Sequence, residues 1–229
     1  SRKEGRCRMI IMDEKVTGLE ESAKAIGLSY GTPLSADRGM TVMKSLVSKP
    51  LNSGEANMLT GVNVQFSIIA SVKWWQQAQR YHWFQIVMSQ SIMHNIANPK
   101  FVLTPNHFAQ SEIGALGTTS PVIDAFIKYR DELLDRYKGV QMPPKIKRKL
   151  IYSVPVGMLE EARVTTNYLQ LMTMYTQRIN HQLDEWRYFC AWMYKRLPYF
   201  KELVEARRCD LPDTQLLSLI PEACPDVLG

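Results

Sequence analysis

The stretch that decides the predicted fold runs from Glu160 to Pro198 and reads EEARVTTNYLQLMTMYTQRINHQLDEWRYFCAWMYKRLP. It contains no Gly, and its only Pro is its last residue, while apolar side chains recur at helical spacing. It therefore predicts one long helix. At about 100° per residue, four polar side chains fall within roughly 60° of one another on that helix. They are Asn167, Arg178, His181 and Glu185. Buried polar groups need partners or a ligand, so this polar face is the first candidate for a functional site.

Composition places the chain among globular proteins, with 45% hydrophobic and 22% charged residues. We expect a single domain over residues 1–198 and a C-terminal tail over 199–229. No apolar run approaches the length of about 18 residues that a membrane span needs, and no apolar signal-peptide segment follows the charged start. The four cysteines show neither C-x-x-C spacing nor histidines at metal-ligand intervals. These features predict a cytoplasmic protein without membrane association or a bound metal.

The rest of the chain mixes predicted strands and helices. Alternating apolar and polar residues over 62–72 predict a half-buried strand, and residues 7–13 predict a second, short one. Residues 97–121 carry several Pro and Gly and predict a long loop or an insertion. Helices are predicted over residues 19–30, 38–47, 74–96, 122–137 and 145–152.

Short motifs follow one another through the second half of the chain. Gly139 and Pro143-Pro144 follow a helix, a basic helix and Val154-Pro155 come next, and then Asn167, Gln177-Arg178 and Glu185-Trp186-Arg187. This order resembles the flavin-dependent thymidylate synthases. That family has a helix, a Gly-Ile-Pro turn, an Ala-Arg-x-x-Leu-Pro segment, Asn-Leu-Arg-x-Leu, Leu-Arg and Gln-x-Glu-x-Arg. The intervals from Pro155 to Asn167 and from Asn167 to Arg178 are also those of the family.

The first half of the chain extends the resemblance over nearly all residues up to Pro198. The family signature is Arg-His-Arg, then seven residues, then Ser. Here Tyr81-His82-Trp83 stands in its place, and Ser91 keeps the spacing from His82. Both signature arginines are thus replaced, although Arg80 stands one residue away.

The resemblance implies an α+β fold with a central antiparallel sheet packed against long helices, assembled as a homotetramer. It implies a flavoprotein transferase of nucleotide biosynthesis, with FAD and methylenetetrahydrofolate as cofactors and NADPH as a candidate reductant. The implied reaction is one-carbon transfer, methylation or hydroxymethylation, to C5 of a pyrimidine deoxynucleotide such as dUMP.

The resemblance also implies roles for individual side chains. Ser91 and Arg178 are the implied catalytic residues, and Arg178 is also expected to hold the nucleotide. The implied flavin-side residues are Arg80, His82, His94 and Asn167. The further substrate-binding residues are Gln77, Gln79 and Arg148. Each has a structural alternative, such as an ion pair between Arg178 and Glu185. Aromatic side chains that either stack on a ligand or fill the core are Trp74, Trp75, Trp83 and Phe84.

The replaced signature leaves a second function open, that of a catalytically silent homologue acting as a binding or assembly subunit. The basic run Lys145–Lys149 leaves a further choice between a solvated helix face and a surface that faces phosphates. Nucleic acid is the least favoured partner from the sequence, and binding to it predicts a steep dependence on salt.

Overall fold

The computed structural model describes residues 9–109 and 120–222. The strands in these residues are β1 (Ile10–Thr17), β2 (Asn63–Ser71), β3 (Gln85–Ser89) and β4 (Leu159–Asn167). They form one antiparallel sheet in the order β1-β2-β4-β3. The helices are α1 (Leu19–Ala25), α2 (Ala36–Val47), α3 (Val72–Ala78), α4 (Ile92–Asn95), α5 (Pro121–Arg136), α6 (Pro144–Tyr152), α7 (Tyr168–Arg178), α8 (Asp184–Arg196), α9 (Phe200–Ala206) and α10 (Thr214–Leu219). The predicted α+β fold with a central antiparallel sheet is confirmed.

The central strands β2 and β4 show why the sheet packs on one face. On β2, Val64, Phe66 and Ile68 are completely buried, whereas the alternating Asn63 and Gln65 are exposed. A period of two residues puts the apolar set on one face of a strand, and that face packs against the helices. The strand predicted over 62–72 is confirmed. The one predicted over 7–13 is found at Ile10–Thr17, and residues 7 and 8 lie outside the described residues.

Several predicted helices are confirmed with small changes at their ends. Residues 19–30 form α1 and a 3-10 turn, Ile26–Tyr30, which ends at Gly31 with φ of 84°. The helices predicted over 38–47, 122–137 and 145–152 are α2, α5 and α6. Pro121 and Pro144 begin the last two, as expected because a missing N–H costs nothing in the first turn of a helix.

The single long helix predicted over 160–198 is wrong. Its first part is β4, where Val164 is buried and its neighbours are half-exposed, a strand alternation. At Asn167 the strand ends, and the side-chain Oδ1 accepts a hydrogen bond from the backbone N–H of Gln170 at 2.9 Å, capping α7. A turn after Arg178 then separates α7 from α8. Asn167, Arg178, His181 and Glu185 therefore do not share one helix face.

The helix predicted over 74–96 is also wrong beyond its first turns. It ends after Ala78 in α3, and the chain turns and returns as β3, which pairs with β4 along Gln85–Ser89. Ile86 and Val87 are β-branched and favour a strand, while the surrounding Gln and Met residues favour a helix. Because the segment pairs with β4, it forms a strand.

The described residues form two hydrophobic clusters. The main cluster lies between the sheet and helices α3, α7, α8 and α9. The second cluster contains Leu103, Phe108, Phe126 and Leu150, so residues from the predicted insertion pack with α5 and α6. Residues 110–119 of that insertion lie outside the described residues.

The segment expected as a tail after Pro198 contributes to the main cluster. Phe200, Leu203 and Val204 on α9 are completely buried there, and Ile220 is 2% exposed. Residues 223–229 lie outside the described residues. Within the described part of the chain, no helix is both long enough and apolar enough to cross a membrane.

The crossing of α1 and α2 yields a test of the fold. Gly39 is buried, and a Cβ added to it would lie 2.4 Å from the carbonyl oxygen of Ala23. Gly39→Ala should therefore lower the free energy of unfolding by about 1–3 kcal/mol. Helix propensity alone would instead raise it by up to about 1 kcal/mol. Ser45→Ala, on an exposed position of α2, is the control and should stay within about 0.5 kcal/mol of the wild type. Urea denaturation measures both, and a more stable Gly39→Ala protein would contradict the close crossing.

Candidate functional site

The loop between α3 and β3, residues 79–84, lies along α7 and is called the signature loop below. At one end, the Tyr81 hydroxyl donates to Oε1 of Gln177 at 2.9 Å, in the last turn of α7. At the other end, the backbone N–H of Trp83 donates to Oε1 of Gln170 at 3.1 Å, in the first turn. The residues that replace the family signature are thus spread along the length of α7.

Arg178 is held by the signature loop and by α8. Its Nε donates to the Tyr81 hydroxyl at 2.8 Å. Its guanidinium carbon lies 4.9 Å from the ring centroid of Trp186 and 5.6 Å from that of Tyr81, within the range of cation–π attraction. Among the described residues, no acceptor is hydrogen-bonded to either terminal nitrogen. Two N–H groups of a fixed guanidinium edge are therefore available to bind an anion in a bidentate manner.

Gln77 fixes the aromatic platform beneath Arg178. Its Oε1 accepts a hydrogen bond from the indole Nε1 of Trp186 at 2.7 Å. The side-chain oxygen of Gln77 is therefore occupied, and only its amide NH₂ could serve a ligand. Gln79, at the end of α3, is exposed. We call Gln77, Tyr81, Gln177, Arg178 and Trp186 the Arg178 cluster.

His181 lies beside this cluster, in the turn between α7 and α8. Its Nδ1 accepts the backbone N–H of Leu183 at 3.1 Å, and its ring centroid is 6.3 Å from that of Trp186. Burial, and then the charge of Arg178, lower the pKa of His181 below its usual value. The neutral imidazole, with Nδ1 as acceptor, carries its proton on Nε2, so it can donate one hydrogen bond.

Glu185 has a structural role in this chain. It is 7% exposed and accepts two hydrogen bonds from Ser71, from the backbone N–H at 2.7 Å and from the hydroxyl at 2.5 Å. The alternative that paired Glu185 with Arg178 is not found. Burial raises the pKa of Glu185, the two hydrogen bonds from Ser71 oppose that rise, and Asp184 adds to it.

Asn167 lies at the opposite end of α7 from Arg178. Eleven residues of helix separate the two, a rise of about 16 Å. The Oδ1 of Asn167 caps the helix, while its amide NH₂ has no hydrogen-bond partner among the described residues. His82 and Trp83 on the signature loop are both exposed. Asn167 and Arg178 therefore do not meet at one point, but the signature loop runs from one to the other.

Among the described residues, the other predicted residues make no side-chain hydrogen bond to the Arg178 cluster, although Arg80 directly precedes Tyr81 of that cluster. Ser91 caps α4, and its Oγ is 2.8 Å from Nδ1 of His94. Arg80 is exposed at the start of the signature loop, and Arg148 is exposed on α6, in the region of the second hydrophobic cluster. No hydrogen bond among the described residues joins Ser91, His94 or Arg148 to Arg178.

The aromatic residues divide between core and surface. Trp74, Trp75 and Phe84 are at most 4% exposed and pack in the main cluster, whereas Trp83 is 57% exposed. Only Trp83 of these four is therefore placed to stack on a ligand.

Two contributors to the site were not predicted from the sequence, namely Tyr81 as the acceptor for Arg178 and Trp186 as its platform. In the sequence, Tyr81 stands where the resemblance implies an arginine, and nothing local assigns it a role of its own. Its position in the signature was the available signal, because a residue that replaces a ligand-binding side chain can support another one.

No cluster of three or more His, Cys, Asp or Glu side chains in residues 9–109 and 120–222 is arranged to hold a metal ion.

The sheet order and the helices packed on it define the fold class of the flavin-dependent thymidylate synthases. Two solved structures illustrate the likeness, both of thymidylate synthase ThyX from Helicobacter pylori with FAD and dUMP. One is 14% identical, covers 87% of this chain and 99% of its own, and superposes with a TM-score of 0.65. The other is 13% identical, covers 86% and 99%, and has a TM-score of 0.66. No protein-family model matches the sequence, and neither does any curated protein.

The contact between Glu185 and Ser71 predicts a defined pH dependence. Because burial raises the pKa of Glu185 in the folded state, its contribution to stability is complete below the unfolded value of 4.5 and falls as the pH rises through the folded pKa. Glu185→Gln can still accept the backbone N–H of Ser71 through its side-chain oxygen and can donate its amide NH₂ to the Ser71 hydroxyl, without a charge. Its stability relative to the wild type should therefore increase between pH 4.5 and 8.

Urea denaturation at several pH values measures this difference. Glu132→Gln, on an exposed part of α5, is the control and should show no such trend. Glu185→Ala should be less stable than Glu185→Gln by about 1–3 kcal/mol, because the N–H of Ser71 is left unpaired. A constant difference between Glu185→Gln and the wild type would contradict the raised pKa.

Proposed function

We propose that this protein is a flavin- and folate-dependent transferase that adds a one-carbon unit to C5 of a pyrimidine deoxynucleotide such as dUMP. The observation that carries the proposal is the guanidinium of Arg178, fixed by Tyr81 and Trp186 with its outer edge free. The likeness in fold to thymidylate synthases solved with FAD and dUMP supports it.

Arg178 would bind the nucleotide in this proposal. A phosphate or a pyrimidine carbonyl oxygen offers acceptors that match the two free N–H groups. His181 would add one donor from Nε2, and the amide NH₂ of Gln77 another. This set consists mainly of donors, as an anionic, oxygen-rich ligand requires.

The far end of α7 and the signature loop would hold the flavin. The amide NH₂ of Asn167 is free to donate. Trp83 is held at the first turn of α7 through Gln170, and Arg80, His82 and Trp83 are exposed on the signature loop. A separation of about 16 Å between Asn167 and Arg178 suits a dinucleotide-sized cofactor together with a nucleotide better than one small ligand. FAD would supply the redox chemistry, and the side chains would bind and orient it. NADPH is the proposed source of electrons, and methylenetetrahydrofolate of the one-carbon unit.

The remaining residues would belong to the same site in an oligomer. His94 and Arg148 are exposed and Ser91 is half-exposed, and among the described residues none of the three is hydrogen-bonded to the Arg178 cluster. The edge strand β3 exposes Val87 and Met88, and an apolar edge strand favours association with another chain. In a homotetramer, Ser91 from one subunit could complete the site of its neighbour.

A catalytically silent homologue is the second candidate. The observation in its favour is that Tyr81 is fully used inside the protein, since its hydroxyl both donates to Gln177 and accepts from Arg178. The position of a signature arginine therefore supports the fold here. A silent homologue would keep the fold and any subunit contacts without turnover.

The absorption spectrum of the purified protein, with and without added FAD, tests the proposal first. A bound flavin should give visible absorption that stays with the protein on gel filtration. Release of tritium from C5-labelled dUMP, with methylenetetrahydrofolate and NADPH, then tests transfer. Flavin binding without tritium release from dUMP or dCMP would favour the silent homologue, and absence of both would contradict the transferase.

Substitutions in the Arg178 cluster make the nucleotide site testable. Arg178→Ala should weaken dUMP binding about 10- to 150-fold, because charge-assisted hydrogen bonds contribute about 1.5–3 kcal/mol each. Tyr81→Phe should weaken it about 5- to 10-fold, since Nε of Arg178 loses its acceptor and the guanidinium its orientation. Isothermal titration calorimetry measures both. The control is Arg38→Ala, which removes an exposed arginine on α2, and equal affinities for all three variants would refute the assignment.

A further inference from the structure

The positive charge of the chain is concentrated in one segment, residues 136–152. The whole protein has 28 Lys and Arg against 22 Asp and Glu, a formal net charge of +6. This segment contains six basic residues and no acidic one, so its charge equals the excess of the entire chain. The basic residues are Arg136, Lys138, Lys145, Lys147, Arg148 and Lys149. Such asymmetry in a chain indicates a surface that meets a polyanion.

The structure leaves this charge uncompensated. Among the described residues, none of the six side chains forms an ion pair with Asp or Glu. Five of them are exposed, and Lys147 is half-exposed. A solvated face of mixed charge would show pairs like Lys128 with Glu132 on α5, and this segment shows none.

The helix α6 arranges part of the charge in one row with an aromatic ring. Lys145, Arg148, Lys149 and Tyr152 fall within an arc of about 100° and along about 10 Å of helix. All four are exposed, and Tyr152 is 84% exposed. Cations that neutralise phosphates and an aromatic ring on which a base stacks are the two components of single-strand nucleic-acid surfaces.

The other face of α6 argues against a lipid partner. A helix that lies on a membrane must present its apolar face to the acyl chains. On α6 that face is already used, because Leu150 is completely buried and Ile146 and Ile151 pack against the second hydrophobic cluster. Only the row of cations and Tyr152 remains for a partner.

We propose that the exposed face of α6, formed by Lys145, Arg148, Lys149 and Tyr152, binds single-stranded nucleic acid through its phosphates and one stacked base. This surface includes no residue of the Arg178 cluster. It shares Arg148 with the proposed transferase site, whereas Lys145, Lys149 and Tyr152 belong to this surface alone. From the sequence alone, nucleic acid is the least favoured partner. The structure favours it, because the cations are unpaired and lie on the same face as Tyr152.

Fluorescence anisotropy with a labelled oligothymidylate of about 12 nucleotides, within the range of single-strand site sizes, tests the proposal on the full chain. The logarithm of the wild-type association constant should fall with the logarithm of salt concentration with a slope of about −2 to −3, as three or four phosphate contacts predict. Lys145→Glu/Lys149→Glu should bind about tenfold more weakly or worse, with a slope less steep by about 1.4. Tyr152→Ala should weaken binding about 5- to 150-fold, and Tyr152→Phe should retain it.

The control is Lys128→Glu/Lys201→Glu, which makes the same change of net charge on α5 and α9 at exposed positions and should bind like the wild type at equal salt. Circular dichroism checks folding, and Lys145→Gln/Lys149→Gln replaces the charge reversal if that variant does not fold. The proposal would be overturned if both double variants weakened binding equally, or if the wild type bound polyglutamate as tightly as the oligothymidylate. Net charge alone would then explain the binding. Binding to phosphatidylserine vesicles without binding to the oligonucleotide would overturn it in favour of a membrane surface.

Discussion

The buried carboxylate of Glu185 joins the parts of the fold on which the candidate site depends. It accepts both the backbone N–H and the hydroxyl of Ser71, at the residue where β2 ends and α3 begins. The same hydroxyl accepts the backbone N–H of Trp74 and so caps α3. One side chain on α8 thereby fixes the start of α3.

That contact determines where the residues of the Arg178 cluster lie. With α3 fixed against α8, Gln77 meets Trp186 and the signature loop begins where Tyr81 can reach the end of α7. Arg178 is then hydrogen-bonded to the Tyr81 hydroxyl and packed against the Trp186 ring, and among the described residues its terminal nitrogens have no hydrogen-bond acceptor. An arginine fixed in this way loses less conformational entropy when it binds an anion than a free surface arginine does. Tyr81, where the resemblance implies an arginine, therefore holds the guanidinium of the neighbouring Arg178 in place.

The sequence alone predicts the parts of this structure that depend on local patterns. The alternation on β2, the helix ends at Gly31, Pro121 and Pro144, and the amphipathic α5 are of this kind. The errors at 74–96 and 160–198 have a common cause. Both segments lack Pro and Gly and contain good helix formers, while β3 and β4 exist because they pair with each other and β4 with β2. Asn167 followed by an apolar run, after Val164 and two threonines, was the available signal for a strand that ends in a capped helix.

The candidate site was less predictable than the fold, because its contacts join distant residues. Glu185 and Ser71 are 114 residues apart, and Arg178 and Tyr81 are 97 apart. The polar face and the motif order both indicated Arg178, but neither could show that a neighbouring tyrosine holds it. The basic run on α6 was visible in the sequence, but whether its charges were paired depended on residues elsewhere.

Arg178 and the α6 surface are two different ways of attracting an anion. Arg178 is half-buried between rings, in a medium of lower dielectric constant, where a single charge acts strongly at short range and salt screens it weakly. The cations on α6 are surrounded by water, so each acts weakly and only several together attract a ligand with repeated charges. One arginine suits one phosphate or carbonyl of a small molecule, and the row suits a chain of phosphates.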